Sequence, residues 1–146
     1  MIYLIIMSSV SSEKIMNNYH TLNDKWSLWA HLPHDTDWSI NSYKKITDIE
    51  NIETALSIKE AVPDTMIKNC MIFCMRNNIS PTWEDVNNRN GGSFSFKINN
   101  SDIYDVWNEL LINLISEMLI KDEMLNRSIN GITVSPKKNF CIVKVG

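Results

Sequence analysis

Apolar positions along this chain recur with two periods, and each change of period marks a new element. The longest helical pattern lies in SDIYDVWNELLINLISEMLI. Trp107, Leu110, Leu111, Leu114, Ile115 and Met118 fall at i, i+3, i+4, i+7, i+8 and i+11, one face of an amphipathic helix. Ser101 or Asp102 is the residue type that caps such a helix at its N-terminus. A second helical pattern runs through IENIETALSIKEAV (Ile49, Ile52, Ala55, Leu56) and stops at Pro63. Strand patterns flank both helices. WSLWAHL (Trp26–Leu32) is aromatic-rich, and WSINSYKKIT (Trp38–Thr47) partly alternates. TMIKNCMIFCM (Thr65–Met75) is apolar on both faces toward its end, as a central strand would be. SFSFKI (Ser93–Ile98) alternates strictly after the Gly91–Gly92 turn, and GITVSP and FCIVKV flank a short KKN turn.

The order is two strands, helix, two strands, long helix, two strands. Strand pairs separated by helices predict an α+β domain, an antiparallel sheet with helices on one face. The 146 residues suffice for one domain with a core. A net charge of −3 excludes a broad basic surface for long nucleic acid, so any such contact must be local. Cys70, Cys74 and Cys141 are an odd set without paired short spacings, which fits reduced thiols in a cytosolic-type compartment. The opening MIYLIIM is too short to span a bilayer and lacks the basic flank of a signal peptide. Residues 1–19 therefore read as a flexible tail and 20–146 as the domain.

Candidate chemistry is sparse. His31, His34, Asp35 and Asp37 match no standard zinc spacing and read as a solvated loop. Cys70 and Cys74 read as small hydrophobes sharing one buried strand face. Glu84 and Asp85 lack a partnering His or Ser, and adjacent acids point apart, which leaves no catalytic pair. Trp107 lies on the helical stripe, and Trp26 and Trp29 fill core or near-core space. Trp38 and Trp83 differ. They sit in HDTDWS and SPTWED, at loop borders among polar residues, where an indole has more to offer a ligand than a core.

HTLNDKWSLWAH, DWSINSYKKI, ISPTWEDVNNRNGGSF, DVWNELLINLISE and NGITVSP resemble, in order and spacing, the eukaryotic translation initiation factor 4E family of messenger-RNA cap binders. The resemblance runs from about His20 to the end and implies a curved antiparallel sheet backed by helices. It implies that Trp38 and Trp83 stack on the two faces of 7-methylguanine and that Glu84 reads its edge. It places Lys137, with Lys138 beside it, at the cap phosphates. On the opposite, dorsal surface it implies a partner-binding set of His20, Ile52, Leu56, Trp107, Asn108 and Glu109. The chemistry agrees: methylation makes the purine cationic, which suits electron-rich indoles. Guanine's two adjacent N–H donors match a carboxylate.

Three departures from the family pattern stand out. Ser93 replaces an Arg after the double glycine, and Lys144 falls about where a further Trp is usual. Leu56 and Asn108 replace a Trp and a Leu on the partner-binding surface, while Thr21 replaces a Pro. The family also continues past Gly146, so the chain reads as a minimal version, as in a reduced or viral genome, or as a truncated one. The expected function is cap binding in translation initiation, in the cytoplasm. The expected partners are capped mRNA and a scaffold initiation factor or a divergent equivalent, without cofactor, metal, membrane or catalysis. The alternative is a cap-binding decoy or translational repressor that does not recruit the usual scaffold. An enzyme acting on capped RNA is a third reading that no nucleophile or metal cluster supports.

Overall fold

The computed structural model describes residues 20–146; the expected tail falls on residues outside that range. Six strands form one antiparallel, curved sheet: β1 (Thr21–His31), β2 (Tyr43–Asn51), β3 (Met71–Arg76), β4 (Phe94–Asn99), β5 (Gly131–Pro136) and β6 (Phe140–Val145). Their spatial order is β2-β1-β3-β5-β6-β4. The helices are α1 (Ile52–Ala61), α2 (Asp64–Asn69), α3 (Val86–Arg89), α4 (Ile103–Ile115) and α5 (Glu123–Arg127).

Side chains alternate across the sheet, so cross-strand register sorts residues by face. Ala30, Ile72, Val134 and Val143 are register partners on one face, and all are buried. Ile103, Trp107, Leu111, Leu114 and Ile115 of α4 are buried in the same core. Ala55 and Ile58 of α1 and Ile67 of α2 complete it. At the β4 edge this row ends in Phe96, which is half-exposed beside an exposed Phe94. On the other face Lys45, Trp29, Phe73, Thr133, Lys144 and Ser95 form one row across all six strands. No helix of the core covers that row.

Several expected boundaries shift. Thr65–Met75 is not one strand: residues 64–69 form α2, and β3 begins at Met71. An apolar run of this length has no decisive period, and the Pro63 carbonyl, which accepts from the amides of Met66 and Ile67, starts a helix. Cys70 therefore closes α2 and does not share a strand face with the buried Cys74. Trp38 precedes β2, because a single 3-10 turn at Ile40–Ser42 intervenes. Ile49 belongs to β2, and α1 starts after Asn51, whose side chain accepts from the Thr54 amide. Asp102 is the N-cap residue of α4, though its side chain makes no capping bond. That helix ends at Ile115, and Met118 is exposed beyond it.

One buried cation ties these pieces together. Arg76, the last residue of β3, donates to Asp24 of β1, to both carboxylate oxygens of Glu117 after α4, and to the Asn126 and Ile129 carbonyls. Its guanidinium lies 4.4 Å from the Trp26 ring centroid. Removing one member of a buried ion pair leaves the other charged and uncompensated. Arg76→Ala should therefore cost about 3 kcal/mol of stability in urea denaturation. A loss below about 1 kcal/mol would mean that Glu117 finds water once the arginine is gone.

Candidate functional site

Two loops carry the exposed indoles. The first connects β1 to β2. Its backbone is held by Asp37, whose Oδ1 accepts from the Ser39 amide at 2.8 Å, and by Asp35, which accepts from the Asp37 amide at 2.9 Å. These short-range bonds turn the chain so that Trp38 folds back on the end of β1. There it stacks on His31, with ring centroids 4.0 Å apart and planes 2° apart. His31 is not part of a solvated loop as the sequence reading had it. It is the last residue of β1, 2% exposed, and donates from Nε2 to the Asp37 carbonyl at 2.8 Å. Tyr43 meets His31 edge-on at 5.1 Å and Phe73 at 5.4 Å. Trp38 remains 55% exposed although one of its faces is covered.

The second loop, between β3 and β4, holds the stretch SPTWEDVNNRNGG. Its asparagines are structural. Asn88 donates to the Ser80 and Thr82 carbonyls at 2.9 and 2.8 Å. Asn130, just before β5, donates to the Asn87 carbonyl at 2.8 Å. Asp85 is turned inward: it accepts from the Ser80 amide at 2.8 Å and caps α3 through the Asn87 amide at 2.9 Å. Burial alone would raise its carboxyl, but these hydrogen bonds outweigh it and hold Asp85 below the ordinary aspartate value. Glu84 and Trp83 are left pointing outward, the indole 70% exposed.

Electrostatics connects the two loops. The Tyr43 phenol is pushed up by its partial burial and, next, by the nearby Glu84 carboxylate. Trp38, His31 and Tyr43 thus form one aromatic cluster at the β1–β2 end of the sheet, and Glu84 acts on its Tyr43 from the second loop. Of the basic residues, Lys44 on β2 acts on the Asp37 carboxylate of this cluster's loop, and Lys45 pairs across strands with Trp29. Lys137 and Lys138 are exposed in the β5–β6 turn, closed by the Lys137 amide donating to the Phe140 carbonyl at 2.8 Å. Lys144 is exposed in the open-face row next to Thr133 and Ser95. Among the described residues no group of three or more His, Cys, Asp or Glu could hold a metal ion. No described helix is long and apolar enough to cross a membrane.

The family model described as Eukaryotic initiation factor 4E matches residues 21–145. The chain belongs to the eukaryotic initiation factor 4E family. It is 34% identical over 128 residues to eukaryotic translation initiation factor 4E of Eremothecium gossypii, covering 82% of this chain and 58% of that protein. Against the eukaryotic translation initiation factor 4E homolog of Acanthamoeba polyphaga mimivirus it is 36% identical over 100 residues, 66% of this chain and 36% of that one. The chain thus spans under two thirds of these relatives' length. The fold matches schistosome eIF4E in its complex with m7GpppG and 4E-BP, with a TM-score of 0.77 at 25% identity over 87% of this chain and 71% of that one. It also matches C. elegans eIF4E-3 in its complex with the 4E-binding protein Mextli, with a TM-score of 0.77 at 20% identity over 88% of this chain and 75% of that one.

The residues that the 4E-family resemblance assigned to a partner surface lie on the helix side, away from the indoles. His20 is tied to α1: its amide donates to both Glu53 oxygens at 3.1 and 3.2 Å, and its ring Nδ1 lies 3.1 Å from Oε1. Leu56 and Asn108 line one groove with Ala55, Lys59, Leu111 and Ile112. Asn108 turns its amide onto its own helix, donating to the Tyr104 carbonyl at 2.8 Å. Glu109 is exposed on α4, whereas Ile52 and Trp107 are buried and can support such a surface only from beneath. Sequence reasoning missed His31, Tyr43 and Asn88 as builders of the indole site. A histidine ending an aromatic strand was the available signal for the first; the asparagines carried none.

Glu84→Gln should bring the Tyr43 phenol down toward its ordinary value. The difference in tyrosinate absorbance between the two proteins during an alkaline titration reads this directly. Identical titrations would place Glu84 out of reach of the cluster.

Proposed function

We propose that this chain binds the 7-methylguanosine cap of mRNA and serves translation initiation as a binding factor rather than an enzyme, in the cytoplasm. The observation that carries the reading is the outward pair of exposed indoles, Trp38 and Trp83, with the Glu84 carboxylate in electrostatic reach of the Trp38 cluster. A flat cation gains from an indole on each face, about 1–3 kcal/mol per stacked base. A carboxylate with two acceptor oxygens suits guanine's paired donors and rejects adenine, which would leave it unpaired. Lys137 and Lys138 are the candidates for the cap phosphates. The cap-bound schistosome relative supports this reading.

Quenching of tryptophan fluorescence by 7-methylguanosine triphosphate tests it, with GTP as control. The methylated nucleotide should bind at least ten-fold more tightly, because only a cationic base gains the cation–π attraction. Glu84→Ala should lose roughly 10- to 100-fold in affinity through the missing charge-assisted hydrogen bonds. Asp85→Ala should act through the loop and matter less. Equal affinity for the two nucleotides would sink the proposal.

A second reading, a cap-binding decoy or repressor, is favoured by the dorsal groove. Leu56 replaces an indole anchor, and Asn108 puts an amide where an apolar contact is expected. A helical scaffold peptide anchors apolar side chains in such a groove. It should bind this chain more weakly than an ordinary family member, and Leu56→Trp with Asn108→Leu should restore affinity without changing cap binding. Calorimetry showing tight binding by the unmodified chain would favour the initiation factor.

A further inference from the structure

Trp38 has two faces, and the fold spends one of them on a titratable ring. The imidazole of His31 covers it at 4.0 Å and 2°, close to a parallel stack. Three contacts fix that imidazole. Nε2 must donate in its 2.8 Å bond with Asp37, because a carbonyl only accepts. Tyr43 closes one edge, and the strand partner on the other side is Met71 of β3. At 2% exposure the ring has no room to leave the stack. Its orientation therefore dictates the plane of the indole, while the exposed outer face of Trp38 remains for a ligand.

We propose that His31 is a positioning residue for the ligand platform: neutral imidazole on the inner face sets the plane of Trp38, and protonation of that imidazole weakens binding of a cationic base on the outer face. The inference rests on the cap-binding reading above. Its physics is that of two cations sharing one indole. A π system attracts a cation through the negative potential of its faces. An imidazolium on the inner face draws on that potential first, and it also repels a second cation across the ring.

The charged surroundings of His31 are mixed. The Asp37 carboxylate interacts with it from the loop, with Lys44 of β2 acting on the same carboxylate. Glu84 acts on Tyr43 from the second loop. Met71 of β3 contributes no charge. Since the cap analogue also titrates, the raw pH profile of binding does not isolate His31. The difference between the wild type and a variant with a non-titrating ring does.

The experiment measures affinity for 7-methylguanosine triphosphate by fluorescence from about pH 5.5 to about pH 8, the range in which imidazoles titrate. It uses the full 146-residue chain, His31→Phe and His31→Ala. His31→Phe keeps an aromatic ring under Trp38 but loses the Nε2–Asp37 bond, so each protein's affinity at the alkaline end is its own reference. As pH falls, the wild type should lose about three- to ten-fold in affinity relative to His31→Phe. His31→Ala removes the support and should bind worse than both at every pH, with His31→Phe as the rescue. A ligand-free readout accompanies it: wild-type tryptophan emission should fall with imidazole protonation, and this step should vanish in His31→Phe and in Trp38→Phe. Parallel pH profiles for the wild type and His31→Phe, with cap binding intact, overturn the inference alone. Absence of cap binding by the wild type at every pH overturns the cap-binding reading and this inference with it.

Discussion

Packing helices against one face of a six-stranded sheet commits the alternate residues of each strand to the other face, and the chain's chemistry follows from that asymmetry. The stripe Trp107, Leu111, Leu114 and Ile115 meets Leu28, Ile72, Ile132 and Val134, all within one buried cluster. At roughly 25 cal/mol per Å² of apolar surface, such side chains stabilise by about 1.5–3 kcal/mol each. The alternate residues of the same strands are thereby committed to the open face. Trp29, Phe73 and Thr133 point there because Leu28, Cys74 and Ile132 do not. A slip of one residue in β1 or β3 would exchange core and site, so the register that maintains the core also maintains the site.

On this platform the two ligand-facing loops are held by different means. The Trp38 loop leans on aromatic contact with a strand end, through His31 and Tyr43. The Trp83 loop is held by polar bonds from Asp85, Asn88 and Asn130. That difference explains why an acid sits on each side of the Glu84–Asp85 bond with opposite fates. Asp85 is consumed by backbone amides, which fixes the direction in which Glu84 and Trp83 leave the loop. Glu84 stays exposed to solvent.

Much of this was legible in the sequence, for definite reasons. The stripe carries five apolar residues within α4 at helical spacing, from Trp107 to Ile115, a pattern no strand could bury. β5 and β6 alternate or run apolar around an evident turn. Trp38 and Trp83 announced their exposure through polar neighbours, and they are exposed. The helix at 64–69 was hidden because it is short, its apolar residues Met66 and Ile67 being separated from the apolar run into β3 only by Lys68 and Asn69, too few positions to show a period. The burial of His31 was hidden for another reason. It depends on residues 35–38 folding back across the strand end, a return set by two aspartate–amide bonds that composition does not reveal. The structural part played by the Asn-rich loop was hidden because Asn88 bonds the Ser80 and Thr82 carbonyls of its own loop, while Asn130 donates into the loop from just before β5.

The exposure of the ligand-facing groups constrains how they act together. Glu84 and Trp83 are both open to water, so neither is strongly preorganised in isolation. A hydrogen bond between an exposed carboxylate and a base edge gains little over the bonds water already supplies. It gains more once the base is sandwiched and the local dielectric falls. In the proposed cap complex the indoles and the carboxylate would therefore be coupled: removing an indole would also weaken the acid's hydrogen bonds, so their separate contributions would not add. In that complex the roles of selection divide: the indoles would select for positive charge and flatness, and Glu84 for the donor edge once an indole has excluded water.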